Sequence, residues 1–379
     1  MNNYLEIFNE LSQTYIIAEM SANHAGSKER AKKIIREAKQ SGADCIKIQT
    51  YTPDTMTINS NKKYFQIEKG TWEGENLYSL YKKAYTPWEW HKELKTEAEK
   101  VGIDFFSTPY ENTAVDFLED LGVKFYKVAS FSITNLPFLK YLASKNKPII
   151  MSTGMATLGE IEEAVKTIQE QGNNKLALLN CSSAYPSIPA DINLKNINHL
   201  KNTFDVPVGL SDHSLGSVAA TAAVAMGADI IEKHFCISRD IENPDSSFSM
   251  EPEEFKMMVD DIRAAERAVG EIDYSVSDNE KNNRIFRRSI FVSNNIKKGE
   301  KFNENNIKII RPAHGLAPRY YNNIIGKKVT SLVNELKPAG EYSLDWNVTS
   351  ASGTPLSTGI YFIKMTVDNQ SYTRKMLIK

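Results

Sequence analysis

The chain has 379 residues, of which 41% are hydrophobic, 25% charged and 10% aromatic, an ordinary globular composition with room for one large domain and one or two small ones. Forty-six basic and 47 acidic residues give a formal net charge of −1, which argues against a nucleic-acid or membrane partner and leaves any phosphate to be held locally. The cysteines, Cys45, Cys181 and Cys236, lie far apart inside apolar runs, which favours reduced thiols in a core. The N-terminal sequence lacks the pattern of a secretory leader and no run is long and apolar enough for a membrane span, so we expect a cytoplasmic protein.

Short apolar runs rich in β-branched and aromatic residues alternate with amphipathic segments from Tyr15 to about Gly270. The runs predict eight strands buried on both faces, at 15–20, 45–51, 104–109, 125–130, 148–153, 177–183, 206–213 and 230–235. Eight rounds of strand–helix alternation in roughly 250 residues favour a closed (β/α)₈ TIM barrel over an open doubly wound sheet.

The segments between the strands carry helix signals. One apolar stripe, with Ser27 as its predicted N-cap, is formed by Ala31, Ile34, Ile35 and Ala38. The sequences Thr86-Pro-Trp-Glu89 and Thr157-Leu-Gly-Glu160 both fit a capping box, in which the two side chains bond each other's backbone N–H groups. We therefore expect helices to begin at these points.

Polar side chains fill the C-terminal halves of the eight runs, where an apolar strand has no structural use for them. They are Glu19, Lys47, Gln49, Ser107, Thr108, Lys127, Ser130, Ser152, Thr153, Ser182, Ser183, Asp212, His213, Glu232, Lys233 and His234. Because the C-terminal ends of the strands form the catalytic face of a TIM barrel, we expect these groups to share one mouth.

Two histidines at the ends of adjacent strands, His213 and His234, are placed to bind one divalent metal and leave positions for water or substrate. The alternative for each is a buried histidine that hydrogen-bonds to a neighbouring strand. The adjacent acids Asp212 and Glu232 favour the metal interpretation, since carboxylates beside metal ligands fix histidine tautomers.

Lys47 and Lys127 lie within strands and should point into the mouth, where an unpaired ammonium is costly to desolvate. They predict a site for a small phosphorylated carboxylate, held together with the hydroxyl groups of Thr108, Ser130, Ser152 and Ser183. Two alternatives stay open. Each lysine could pair with a neighbouring carboxylate, or Lys127 could be the nucleophile of a Schiff-base aldolase.

Three further residues near the mouth have two interpretations each. Glu19 is a general acid/base or sugar ligand, or else the partner of Lys47 in a salt bridge. His24 contacts substrate or hydrogen-bonds within its loop. Tyr185 is predicted to be a packed aromatic at the rim, with a sugar or phosphate contact as the alternative.

The segments IIAEMSANHAGS, ADCIKIQTYTPD, FFSTPY, YKVAS, MSTGMAT, NCSSAYP, GLSDHS and IEKHF resemble, in order and across the whole barrel, the blocks of the sialic acid synthase family. Within that family the chain is most similar to the pseudaminic acid synthases. The similarity lies in MSANH at 20–24, in IKIQTYTPD and TPWEWH, and in residues 241–249.

The resemblance implies a metal-dependent condensation of phosphoenolpyruvate with an acetamido sugar, with N-acetylneuraminate or legionaminate synthesis as the alternative. It assigns phosphoenolpyruvate to Lys47, Thr108, Lys127, Ser130, Ser152 and Ser211. His213 and His234 would bind Mn²⁺, Mg²⁺ or Co²⁺, which with Glu19 orients or polarises the aldehyde. Asp245 would bind sugar hydroxyls, and Trp72 would either pack on the sugar or cover the barrel edge.

Beyond the barrel at 1–270, residues 271–283 indicate a linker, and 284–335 resemble the antifreeze-like (SAF) domain of the same family. That resemblance implies a domain-swapped homodimer in which Arg311 reaches the partner's barrel. Residues 336–379 predict a small antiparallel β tail and resemble a type IX secretion sorting domain. The tail motivates a rival of another class, a non-catalytic carbohydrate-binding surface protein.

Overall fold

The structure is a computed structural model, and it describes residues 13–297, 299–327, 338, 340, 341, 343, 359–367 and 370–378. The chain divides after Glu271 into two compact units. No helix among the described residues is long and apolar enough to cross a membrane.

The first unit is a barrel of eight parallel strands that pair in sequence order, closed by pairing of the first strand with the eighth. The strands are β1 (Tyr15–Glu19), β2 (Cys45–Thr50), β3 (Asp104–Pro109), β4 (Tyr126–Val128), β5 (Ile149–Ser152), β6 (Leu176–Cys181), β7 (Val208–Asp212) and β8 (Ile230–His234). The predicted TIM barrel is confirmed, and every strand lies within two residues of its predicted bounds.

Helices surround this barrel. The α-helices of the unit are Lys28–Gln40, Pro53–Met56, Leu77–Ala84, His91–Val101, Asn112–Leu121, Leu136–Ala143, Leu158–Gln169, Pro189–Ile192, Lys195–Phe204, Val218–Ala225 and Pro252–Val269. Short 3₁₀ turns occupy Ser21–His24, Lys63–Phe65, Trp88–Trp90, Ser130–Ser132 and Ser246–Phe248.

Two of the three predicted helix caps are confirmed. The Ser27 hydroxyl accepts from the Arg30 N–H, and Thr157 and Glu160 form a reciprocal capping box. The capping box predicted at Thr86 is wrong, because the Thr86 hydroxyl lies 3.2 Å from His24 Nε2 and caps no helix. A buried tertiary contact has prevailed there over the local pattern.

Alternation along the strands separates two apolar cores. Outward residues such as Ile16, Ile46 and Leu210 pack under the helices, whereas the barrel interior is filled by Tyr15, Ile17, Cys45, Phe106, Phe125, Ile150, Ala177, Leu179 and Ile230. Strands β7 and β8 approach closely at Gly209, where a Cβ atom would lie 2.1 Å from the Ile230 carbonyl oxygen. Glycine at that position lets the two strands that carry His213 and His234 lie side by side.

The second unit contains two antiparallel pairs, β9 (Ser289–Val292) with β10 (Ile307–Ile310), and β11 (Gly359–Val367) with β12 (Gln370–Ile378). Short helices cover Asp278–Lys281 and Tyr321–Ile324, with 3₁₀ turns at Asn282–Phe286 and Pro318–Tyr320. Ile290, Ile307 and Leu316 form the buried core of the first pair. The antiparallel strands expected in the tail are present in β11 and β12, whereas residues 336, 337, 339, 342, 344–358, 368, 369 and 379 of that prediction lie outside the described residues.

Candidate active site

The mouth of the barrel is polar because the inward face of each strand changes character near its C-terminal end. Six strands have an apolar residue in the barrel interior and a polar residue two positions later, on the same face. The apolar residues are Ile17, Cys45, Phe106, Phe125, Ile150 and Ile230, and the polar residues that follow them are, in the same order, Glu19, Lys47, Thr108, Lys127, Ser152 and Glu232. All six polar residues are buried. The structure thus brings the predicted barrel residues to one end, while Arg311 is exposed in the second unit, directly after β10.

Two ammonium groups occupy the floor of this mouth. Lys47 Nζ lies 2.6 Å from Glu19 Oε2, 3.2 Å from Thr108 Oγ1 and 3.6 Å from Glu232 Oε1. Lys127 Nζ donates to Ser152 Oγ at 2.7 Å and lies 3.4 Å from Glu232 Oε1. Of the alternatives for the ligand-free protein, pairing of each lysine with a neighbouring carboxylate is therefore the one observed.

The two carboxylates differ in their electrostatic setting. Burial raises the pKa of Glu19 above its usual range and outweighs the opposing charge of Lys47. Burial also disfavours ionised Glu232, but Lys127 and Lys47 outweigh it and lower the pKa of that carboxyl. The ionised form is therefore favoured at Glu232, whereas Glu19 retains its proton to a higher pH than an ordinary carboxyl does.

Burial lowers the pKa of Lys127, although the nearby Glu232 opposes the shift. The remaining predicted hydroxyl groups make other contacts. Ser211 Oγ lies 3.5 Å from Glu232 Oε1, and Ser130 Oγ accepts from the Gly154 N–H at 3.1 Å. Ser183 is partly buried, with its Oγ 3.8 Å from Cys181 Sγ.

The two histidines lie next to each other, with ring centroids 5.4 Å apart. His213 Nδ1 is 2.9 Å from the Ser182 carbonyl oxygen, so its N–H donates there and leaves Nε2 free to bind a ligand. His234 Nδ1 is buried without a hydrogen-bond partner, and burial lowers the pKa of this ring well below its usual range. A neutral imidazole with an unpartnered nitrogen is the form that binds a metal.

Among the described residues, no group of three or more His, Cys, Asp and Glu side chains is arranged to hold a metal ion. A catalytic zinc site usually has three protein ligands, so an ion held here by two imidazoles would take its remaining ligands from water and substrate. The unpartnered nitrogen of His234 and the tautomer of His213 fit such an ion.

Asp212 does not have the predicted role beside the histidines. Its carboxylate accepts from the Ser214 N–H at 2.8 Å and from Lys233 Nζ at 2.6 Å, and the tautomer of His213 is set by Ser182 instead. Alternation explains the difference, since Asp212 and Lys233 point away from the barrel interior when their neighbours point into it. Glu232 does point inward, but towards the lysines.

Cys181 also differs from its prediction as a core thiol. It is partly buried at the mouth, with Sγ 3.8 Å from His213 Nδ1. Burial acts against ionisation, yet His213 outweighs it and lowers the pKa of the thiol to about 7. Cys45 and Cys236 are buried free thiols, as predicted.

Loop residues above the histidines complete the mouth. Tyr185 packs against His213 with ring centroids 4.3 Å apart, in keeping with a packed rim aromatic. The buried Asp245 accepts from the Ala22 N–H at 3.1 Å, and burial raises its pKa. His24 is fully buried between the Gly26 N–H and Thr86, which favours its interpretation as a loop hydrogen-bonding residue.

Sequence reasoning expected Glu232 and Gln49 at the mouth but gave neither a contact with the lysines or Glu19, and it left Phe248 out. Glu232 contacts both lysines, Gln49 Nε2 donates to Glu19 Oε1 at 2.9 Å, and the Phe248 ring lies 5.0 Å from that of His234. Period-two alternation could have found the first two, since Glu232 precedes His234 by two residues and Gln49 follows Lys47 by two. No local signal indicates Phe248.

The chain matches the model of the NeuB family over residues 34–274 and that of the SAF domain over 287–338. It is 47% identical over 323 residues to a pseudaminic acid synthase of Campylobacter jejuni, covering 85% of this chain and 94% of that protein. A pseudaminic acid synthase of Helicobacter pylori is 43% identical over 324 residues, which cover 85% of this chain and 95% of the relative.

Among solved structures, an N-acetylneuraminic acid synthetase of Leptospira borgpetersenii, in complex with citrate, superimposes with a TM-score of 0.64. Its sequence is 32% identical, and the match covers 72% of this chain and 90% of that one. The family resemblance predicted from the barrel motifs is therefore confirmed: the chain belongs to the NeuB family, with a SAF domain after its barrel.

Proposed function

We propose that the protein is a pseudaminic acid synthase, which condenses phosphoenolpyruvate with 2,4-diacetamido-2,4,6-trideoxy-altrose and releases phosphate. One observation carries the proposal: two buried ammonium groups and two adjacent imidazoles open into the same barrel mouth. Relatives with the name pseudaminic acid synthase, 43% to 47% identical over most of the chain, support the choice of sugar.

The charge of the mouth suits a small anion. Lys47 and Lys127 bear two positive charges against the ionised Glu232, and the raised pKa of Glu19 lets that carboxyl become neutral when an anion binds. Phosphoenolpyruvate supplies a carboxylate and a phosphate that would replace the carboxylate partners of the lysines. The hydroxyl groups that would complete this site are those of Thr108, Ser130, Ser152, Ser183 and Ser211.

The reaction joins C3 of the enolpyruvate to the C1 aldehyde carbon of the open-chain sugar. The aldehyde oxygen takes up one proton as this C–C bond forms, and the proposed donor is Glu19, whose raised pKa favours the protonated carboxyl. Water adds to the cationic C2 that results and gives up one proton, which replaces the proton taken from Glu19. Cleavage of the C2–O bond then leaves the C2 carbonyl and releases inorganic phosphate, which carries away the second proton of that water. Glu232, held between both lysines, keeps their ammonium groups directed at the departing phosphate.

His213 and His234 would hold the divalent metal, Mn²⁺, Mg²⁺ or Co²⁺. When bound, such an ion polarises a carbonyl oxygen or lowers the pKa of a water molecule. Asp245 and Tyr185, on the loops above the histidines, would contact the sugar.

The second unit would complete the enzyme in a domain-swapped homodimer, with Arg311 contacting the sugar in the partner's barrel. Exposed apolar side chains after β4 to β7 support a protein partner at the rim, namely Phe131, Met155, Ile188, Leu215 and Val218. We place the barrel domain at 1–270, the linker at 271–283, the SAF domain at 284–335 and the tail at 336–379. The free thiols suit the cytoplasm, so the likeness of the tail to a sorting domain is not taken as a sign of export.

The test is phosphate release from phosphoenolpyruvate with purified protein, a divalent metal and a panel of sugars. We expect release only when an acetamido sugar is present, fastest with the diacetamido-altrose and slower with N-acetylmannosamine and the legionaminic acid precursor. Equal rates on all three sugars would remove the pseudaminic assignment and leave a less selective synthase.

One observation favours a second candidate, a Schiff-base aldolase, because burial lowers the pKa of Lys127 towards that of a nucleophilic amine. That enzyme would turn over in the presence of EDTA, and borohydride would trap its substrate on Lys127. The proposed synthase loses activity in EDTA and forms no such adduct.

A further inference from the structure

The loop after β2 forms a small hairpin whose tip extends away from its base. The Ile67 N–H donates to the Glu75 carbonyl and the Gly74 N–H to the Ile67 carbonyl, both at 2.9 Å. Gly70 and Gly74, with φ of 97° and 85°, turn the chain at the tip. Local hydrogen bonds thus give this loop a defined shape, with Thr71 and Trp72 at its end.

Both tip residues contact loops from other sides of the mouth. Trp72 Nε1–H donates to the Pro244 carbonyl oxygen in the loop after β8 at 2.7 Å, and the Thr71 hydroxyl donates to the carbonyl of Tyr185 in the loop after β6. The indole ring lies 5.4 Å from the Tyr185 ring and 6.4 Å from that of Phe248. The tip of one loop therefore joins two others.

With Trp72 in place, five rings form a closed circuit. From Trp72 the centroid distances run 5.4 Å to Tyr185, 4.3 Å to His213, 5.4 Å to His234, 5.0 Å to Phe248 and 6.4 Å back to Trp72. Without the indole, the ring centroids of Tyr185 and Phe248 still lie 5.3 Å apart, but no ring of the loop after β2 packs against them in this circuit.

We propose that Trp72 is a positioning residue for the sugar: it fastens the loops after β6 and β8 so that Tyr185 and Asp245 face the reacting aldehyde. The inference rests on the proposed function, in which those two loop residues contact the sugar. Pro244, whose carbonyl Trp72 holds, directly precedes Asp245. The candidate phosphoenolpyruvate ligands Lys47, Lys127 and Ser152 lie on strands, so loss of Trp72 leaves them in place.

The experiment compares Trp72→Ala, Trp72→Phe and the control Tyr64→Ala, an aromatic of the same loop that is 89% exposed. We expect Trp72→Ala to raise the KM for the sugar roughly 10-fold or more, because small displacements of positioning groups are costly. The KM for phosphoenolpyruvate and the bound metal should stay within about twofold of wild type. Trp72→Phe keeps a ring but loses the N–H donor, so its KM for the sugar should lie between those of wild type and Trp72→Ala. Tyr64→Ala should have the KM values of wild type.

Trypsin provides a readout that needs no turnover. Lys62, Lys63 and Lys69 are exposed on the loop, and we expect cleavage there to be several-fold faster in Trp72→Ala than in wild type or Tyr64→Ala. If wild type turns over none of the sugars, the proposed function fails, and the cleavage rates still decide whether Trp72 fastens the loop. Unchanged cleavage, an unchanged sugar KM, or equal increases in both KM values would overturn the positioning role.

Discussion

The two ends of the barrel interior are built from the same eight strands and the same inward faces, yet they contain opposite chemistry. The lower end is apolar, with Phe106 and Phe125 at its centre, ring centroids 4.3 Å apart. The upper end, two residues further along the strands, buries Lys47, Lys127 and Glu232. The lower layers gain from burial of apolar surface, whereas the upper layer pays a desolvation cost that its ion pairs offset only in part.

This difference teaches that stability and chemistry are separated by about one strand repeat, roughly 7 Å along each strand. The charges of the mouth do not have to stabilise the barrel, because the lower interior and the strand–helix core already bury its apolar residues. Variants of inward-facing residues at the upper end should therefore change activity more than folding, and variants of inward-facing residues at the lower end the reverse.

The largest expected effect is on catalysis at the upper end. Lys127→Met removes an ammonium proposed to bind phosphoenolpyruvate, and kcat/KM should fall about 10²- to 10³-fold, as when a preorganised donor to a charged transition state is lost. Folding stability should change little, since Glu232 keeps Lys47 as a partner. Steady-state phosphate release and urea denaturation measure the two quantities.

The matched control is Lys124→Met, three residues earlier at the lower end, where an exposed lysine pairs with Asp104 at 3.0 Å. It should keep wild-type activity, because exposed ion pairs contribute little. Equal losses of activity in both variants would show that the two ends are not separated.

The next effect concerns stability at the lower end. Phe106→Ala opens a cavity beside Phe125 in a fully buried layer, and the free energy of unfolding should fall by about 3 to 4 kcal/mol. The fraction that remains folded should keep most of its kcat. Phe131→Ala, at a site 64% exposed, is the control and should cost less than about 0.5 kcal/mol.

A smaller loss of folding stability is expected when the ion pair between Lys233 and Asp212, on the outer face of the barrel at the mouth end, is broken. Lys233 is fully buried and donates to Asp212 Oδ2 and to the Ser214 carbonyl, both at 2.6 Å. Lys233→Met should cost about 3 kcal/mol by leaving a buried carboxylate without its cation, measured by urea denaturation. The double variant Lys233→Met/Asp212→Asn should recover part of this loss, and no recovery would mean that the two side chains act independently.

The sequence predicted the separation of the two ends because it depends on local pattern. Apolar runs of strand length located β1 to β8, and polar residues at their C-terminal ends located the mouth, including His213 and His234. The strand–helix order then predicted the closed barrel, since consecutive parallel strands with helical crossovers have few other arrangements.

What escaped prediction depends on contacts across the barrel or between loops. The Glu19–Lys47 pair was one of two interpretations of the sequence, but the contact of Glu232 with both lysines was not predicted. It depends on strand register and on alternation, which turns Asp212 outward and Glu232 inward. Thr86 fits a helix cap locally but meets His24 instead. The position of Trp72 follows from a loop fold that no short-range pattern contains.

The smallest effect of a single variant concerns the pH dependence of stability at the mouth end, where His24 and His91 are buried as neutral rings. Burial lowers the pKa of each to about 4, and His24 Nε2 contacts Thr86 while His91 Nε2 lies 2.8 Å from Thr50 Oγ1. In the unfolded chain both titrate near 6.5, so between pH 6.5 and 4 the unfolded state binds more protons and folding stability falls as the pH falls.

Lowering the pH from 7 to 5 should therefore cost about 2 kcal/mol for each of these histidines, measured as the difference in urea midpoints at the two pH values. His24→Asn keeps an acceptor for the Gly26 N–H and cannot titrate, so its stability at pH 7 and at pH 5 should differ by about 2 kcal/mol less than in wild type. His199→Asn, with a histidine on the exposed side of the helix Lys195–Phe204, provides the control and should follow the wild-type curve. If His24→Asn also follows that curve, the neutral ring of His24 contributes nothing to the loss of folding stability in acid. Through this residue, the stability of the upper end would then depend on pH no more than that of the apolar lower end.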